Sequence, residues 1–127
     1  MESTVPLNAM IVEDEKELCF LLSLVLIQKN LNPSCAYSIA EAKKNLEKIR
    51  PSVLFLDNRL PDGYGIDFIS VIKHDFPSTK IVMMTAHNSP NDIQSALQRG
   101  ADFFISKPFN SAIIKNTIDL LKLGETG

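Results

Sequence analysis

The sequence predicts a doubly wound α/β domain: a five-stranded parallel sheet with helices on both faces. Three observations predict it. Five short apolar runs alternate with five helical patterns, and no linker separates them. The central run, Val53-Leu54-Phe55-Leu56, has no polar face and reads as a strand covered on both sides. Polar groups stand where the runs end: Glu13-Asp14 after the first, Asp57 after the third, Thr85 after the fourth and Lys107 after the fifth. Parallel strands carry all of these to one edge of the sheet, the edge at which such sheets bind ligands.

Residues 1–7 read as a tail. The first strand spans 8–12, and a helix follows over 16–29, with Leu18, Leu21, Leu22, Val25 and Leu26 on one face. Its apolar stripe is wide enough that the helix is expected to be well covered. Pro33 interrupts, and the second strand is placed at 34–37. Ser38-Ile39-Ala40-Glu41 matches a capping box and opens a helix that stops near Ile49, ahead of Pro51.

The central strand, 53–57, runs straight into a turn marked by Pro61 and Gly63. A third helix covers 65–75, with Ile66, Phe68, Ile69 and Ile72 inward, and Pro77 ends it. The fourth strand is 80–85. The fourth helix is 90–99, with Ser89 as N-cap, Pro90 in its first turn and Gly100 at its C-terminal stop. The fifth strand, 103–106, precedes Lys107-Pro108 and a last helix over 111–123.

A chain of 127 residues suits one domain, with its core at about 8–123 and tails at 1–7 and 124–127. Hydrophobic residues at 45% and charged ones at 22% exclude a disordered or membrane-spanning class. The longest apolar run, 18–27, is broken by Ser23 and too short to cross a bilayer. A net charge of -2 gives no electrostatic footprint for nucleic acid. With no basic residue in 1–8 and no CxxC spacing, the chain is expected to be cytoplasmic, with Cys19 and Cys35 as reduced core thiols.

The strand-end set is the chemical core. Three carboxylates (Glu13, Asp14 and Asp57) cannot crowd together without a cation, and Lys107 alone carries too little charge. A hard divalent ion with oxygen ligands meets the need, and Mg²⁺ keeps room in its shell for water and a phosphate. Asp57 can then attack phosphorus, while Lys107 and the Thr85 hydroxyl stabilise the phosphoryl oxygens.

Val12-Glu13-Asp14, Leu56-Asp57, Leu60-Pro61-Asp62-Gly63, Thr85-Ala86 and Lys107-Pro108-Phe109 together resemble the receiver domain of two-component response regulators, over about 9–123. The resemblance implies the flavodoxin-like strand order 2-1-3-4-5. It implies a signalling switch rather than an enzyme, with Asp57 phosphorylated from a phosphohistidine of a sensor histidine kinase or histidine phosphotransfer protein. It makes Glu13, Asp14, Asp57 and the backbone carbonyl of Arg59 the ligands of Mg²⁺ (or Mn²⁺), with Asp14 the more direct of the acidic pair. Thr85 and Phe104 become switch residues that alter the surface of the fourth helix, fifth strand and fifth helix. The Lys107–Pro108 bond is expected to be cis. The output partner is unspecified, and a phosphorylation-dependent dimer stays open.

Arg59 and His87 are expected to rim the cleft, with Arg59 shielding the acyl phosphate from water. His74 reads as a residue near the end of the third helix. Two rivals fit less well. A phosphatase of the haloacid dehalogenase type wants a second Asp where Arg59 stands. A flavodoxin-like electron carrier would meet repulsion between its phosphate and Glu13-Asp14-Glu15.

Overall fold

The computed structural model describes residues 5–86 and 89–124. Its elements follow in the order β1 (Leu7–Val12), α1 (Lys16–Gln28), β2 (Leu31–Ala36), α2 (Ile39–Ile49), β3 (Val53–Asp57), β4 (Arg59–Leu60), β5 (Gly63–Tyr64), α3 (Gly65–Asp75), β6 (Lys80–Thr85), α4 (Pro90–Arg99), β7 (Phe103–Ser106) and α5 (Ser111–Leu121). The five long strands form one parallel sheet in the order β2-β1-β3-β6-β7. This is the expected 2-1-3-4-5 once the small β4–β5 hairpin is set apart.

Alternation along the strands divides the core. Met10, Val12, Leu54 and Leu56 meet Leu46 of α2, Phe68, Ile69 and Ile72 of α3 and Ala96 of α4 on one face. Ala9, Ile11, Val53 and Phe55 meet Cys19, Leu22 and Leu26 of α1 and Ile114 and Ile118 of α5 on the other. Every residue of β3 is buried, as a strand with helices above and below requires. Each large aliphatic side chain there stabilises the fold by about 1.5–3 kcal/mol relative to exposure.

The capping signals act as the sequence suggests. Ser38 Oγ accepts the Glu41 N–H at 3.1 Å, Ser89 Oγ accepts the Asp92 N–H at 3.2 Å, and Gly100 closes α4 at φ 118°. Two expectations need correction, and a third gains detail. β2 begins at Leu31 and runs through Pro33, which is tolerated because β2 is an edge strand. The turn after Asp57 contains a two-rung antiparallel hairpin, pairing Arg59 with Tyr64 and Leu60 with Gly63. The last helix stops at Leu121, where Lys122 turns left-handed at φ 51°.

Two further corrections concern α1. It was expected to be well covered, yet Phe20 is 61% exposed and Leu21, Leu24 and Ile27 are also exposed. Among the described residues only α1 and α5 lie on this side of the sheet, and none of them packs over the outer half of α1. Cys19 and Cys35 are not reduced thiols but form a disulfide between α1 and β2. Sixteen residues of separation carry no pairing signal; the packing of helix on strand brings their Cα atoms to 6.3 Å, within bridging range.

Candidate functional site

The site is assembled by strand ends. β1 delivers Glu13 and Asp14, β3 delivers Asp57, β6 delivers Thr85, and the residue after β7 is Lys107. Glu13 is fully buried and Asp14 exposed, while Asp57 and Thr85 are buried at 6% and 5% exposure. The Lys107 ammonium lies 2.7 Å from Glu13 Oε1 and 3.1 Å from Asp57 Oδ1. One cation thus bridges two carboxylates from different strands. The Lys107–Pro108 peptide bond is cis.

Charge remains out of balance. One carboxylate oxygen each from Glu13, Asp14 and Asp57 lies within 4.8 Å of the others, and among the described residues the cation paired with them is Lys107. Burial pushes the Glu13 carboxyl from its usual 4.5 up to about 7, and the Asp57 charge adds to the rise, against hydrogen bonds from Lys107 and the Glu15 N–H. Burial also works against the Lys107 charge, but its hydrogen bonds and attraction to Glu13 and Asp57 outweigh that and raise its pKa. A carboxylate that holds its proton this tightly beside two others is a group short of a cation. An all-oxygen donor set of this charge fits a hard divalent ion.

The Glu13 shift has a measurable consequence. Without metal, folded Glu13 binds its proton more tightly than unfolded Glu13. Its stabilising contribution is present in full below about pH 4.5 and lost as the pH rises through about 7. In EDTA the protein is expected to resist denaturant better near about pH 5 than about pH 8, with at most about 1.4 kcal/mol per pH unit from this group. Glu13→Gln should flatten that slope; a variant keeping the full slope would assign it to other groups.

Backbone detail fixes Asp57. The Asn58 N–H donates to Asp57 Oδ1 at 2.9 Å, and the Asn58 side-chain oxygen accepts the Ile66 N–H at 3.1 Å, at the start of α3. The Gly65 N–H donates to the Asn58 carbonyl at 2.7 Å. Asn58 and Gly65 were missed as site residues. Nothing local marks Asn58, since the helix it caps begins seven residues later. Gly65 carries a signal, the second glycine in Gly63-Tyr64-Gly65, which by itself marks only a helix start.

Thr85 and Phe104 lie on the same face of the sheet. Phe104 pairs with Met83, two residues before Thr85, and both Met83 and Phe104 belong to the face covered by α3 and α4. Phe104 is half-buried. Arg59 is exposed on β4, with its backbone in the hairpin. His87 lies outside the described residues, and His74 is exposed near the end of α3.

A family model, the response regulator receiver domain, matches residues 9–119. The response regulator protein PilR of Pseudomonas aeruginosa is 32% identical over 111 residues, 87% of this chain and 25% of that protein. The phosphate regulon transcriptional regulatory protein PhoB of Escherichia coli is 35% identical over 103 residues, 80% of this chain and 45% of that protein. This chain therefore spans a quarter to less than half of these relatives. Among solved structures, a two-component response regulator from Clostridium difficile superposes with a TM-score of 0.86 at 26% identity, covering 94% of this chain and 99% of that one. The beryllofluoride-activated NtrC4 receiver domain dimer matches with a TM-score of 0.84 at 31% identity, covering 89% and 93%.

Proposed function

The chain belongs to the response regulator receiver family, a family of signalling switches, and on that footing we propose that Asp57 is its phosphoacceptor. The observation that carries this is the convergence of Glu13, Asp14 and Asp57 with the Lys107 ammonium at one sheet edge. Glu13, Asp14, Asp57 and the Arg59 carbonyl would hold Mg²⁺ or Mn²⁺. Bound there, the ion would neutralise charge on the phosphoryl group.

A phosphohistidine of a sensor kinase or phosphotransfer protein is the donor. Lys107 and the Asn58 N–H both engage Asp57 Oδ1, and Oδ2 is the oxygen we assign to attack. The new P–O bond forms as the P–N bond breaks, and its electron pair returns to the imidazole nitrogen. Lys107 then turns from the carboxylates to the phosphoryl oxygens, and Thr85 donates a hydrogen bond to another of them. Movement of Thr85 draws Phe104 inward on the shared face, changing the surface of α4, β7 and α5. Leu97, Ile113 and Leu120 leave exposed apolar area on α4 and α5, which fits an output partner or a phosphorylation-dependent dimer, distinguishable by sedimentation before and after phosphorylation. A cytoplasmic location belongs to the same reading.

The donor's docking surface is α1. Phe20, Leu24 and Ile27 stand at i, i+4 and i+7 on its exposed side, and its N-terminus begins two residues after Asp14. An apolar helical stripe beside the cleft suits a helical donor.

Intact mass tests the whole reading. With a small acyl phosphate and Mg²⁺, the protein should gain one phosphoryl group, and Asp57→Asn should gain none. Phe20→Ser should slow transfer from a phosphorylated histidine protein about tenfold, an interface hot-spot effect, while leaving the small donor's rate unchanged. Uptake by Asp57→Asn would overturn the site; equal slowing with both donors would overturn the docking surface. The same samples, followed after donor removal, read whether Arg59→Ala shortens the phosphoryl lifetime.

A further inference from the structure

We infer that Asp62 is a positioning residue for the metal side of this site, acting through the N-terminus of α2. The inference rests on the reading of Arg59's carbonyl as a metal ligand. Asp62 occupies the turn of the β4–β5 hairpin and is exposed, yet both its oxygens are engaged. Oδ1 accepts the Ile39 N–H and Oδ2 the Ala40 N–H, each at 2.9 Å. These donors belong to the first turn of α2, 23 and 22 residues earlier in the chain. The two hydrogen bonds hold the Asp62 carboxyl below its usual range.

The helix has a cap of its own. Ser38 Oγ takes the Glu41 N–H, so α2 carries one local cap and one supplied from a distance. Only the distant one ties the helix to the active-site loop. The hairpin tip packs on the same turn, where a Cβ on Gly63 would stand 3.1 Å from Ile39 Cδ1. At its base the loop is fixed by Asn58, through Gly65 and Ile66. Arg59, paired with Tyr64, lies between these two anchors. Release of the tip leaves a two-rung hairpin held at one end, and its carbonyl then samples positions away from the cleft. Preorganisation of a ligand by its supporting shell is lost.

Calorimetric titration with Mg²⁺ separates this role from helix capping. Asp62→Ala should raise the Mg²⁺ dissociation constant about tenfold, in the range for loss of a supporting partner. Asp62→Asn should fall between, since one amide oxygen still accepts one N–H. Ser38→Ala removes the local cap of the same helix and should leave the constant unchanged while lowering the melting temperature. Equal constants for wild type and Asp62→Ala, or equal shifts in Asp62→Ala and Ser38→Ala, would overturn the inference. A wild type that takes up phosphate but binds no Mg²⁺ would overturn it too, through the metal assignment. A wild type that binds Mg²⁺ but takes up no phosphate would instead defeat the phosphoacceptor reading, and the Asp62 comparison would still stand or fall on its own constants.

Discussion

Gly65→Ala is expected to destabilise the domain by about 3 kcal/mol, the upper end of overpacking costs, and to depress the phosphoryl uptake proposed for Asp57. The β-carbon would fall inside the van der Waals envelope of the Asp57 backbone carbonyl oxygen and 3.0 Å from Leu56 Cγ. Neither neighbour can yield cheaply. The carbonyl belongs to the last residue of a fully buried central strand, and Leu56 is fixed in the core between β1 and β6. Either α3 backs away and loses the 2.7 Å Gly65–Asn58 hydrogen bond, or Asp57 is displaced from Lys107. Equilibrium denaturation gives the first quantity and intact mass after acyl phosphate treatment the second. A variant within about 1 kcal/mol of wild type with normal uptake would mean that the close approach is not obligatory.

Opening the Cys19–Cys35 disulfide is expected to cost about 3 kcal/mol, the chain-entropy value for a loop of this length. Cys19 is fully buried and Cys35 half-buried, so reduced thiols would still pack as small apolar groups. The loss arises mainly in the unfolded state, where the link between α1 and β2 no longer restricts the chain. Denaturation midpoints with and without reductant measure it, and Cys35→Ala should match the reduced wild type. Alkylation of the denatured, unreduced protein should find no free thiol; two labelled cysteines would remove the bond and its contribution together. Disulfides are rare in the cytosol, so the cytoplasmic location proposed here makes the redox state of this pair the first property to establish in cell extracts.

Where the sequence was legible, the signal was local. The boundaries of α2, α3, α4, β3, β6 and β7 follow from periodicity, caps and punctuation by Pro and Gly, all set within a few residues. The strand-end residues were legible as well, because a parallel sheet brings every carboxyl end to one edge whatever the detailed packing. Misreadings came where the outcome depended on a distant neighbour. Pro33 reads as a breaker until β2 is known to be an edge. The apolar width of α1 reads as burial until that face is seen to carry, among the described residues, only one other helix. Asp62 stands in the sequence only as part of the Leu60-Pro61-Asp62-Gly63 motif, and its bonds to α2 appear only in the structure.

By itself the sequence determined the fold class, the strand order through its resemblance, and the placement of Glu13, Asp14, Asp57, Thr85 and Lys107 at the strand ends of one sheet edge. Only the tertiary structure decided that Lys107 bridges Glu13 and Asp57, that Cys19 is bonded to Cys35, that Gly65 packs against the Asp57 carbonyl, and that Asp62 accepts from the first turn of α2. The reason is range. Periodicity and capping are governed by residues within a turn or two, whereas ion pairs, disulfides and close backbone approaches depend on distances of a few ångströms between segments that the chain order leaves far apart.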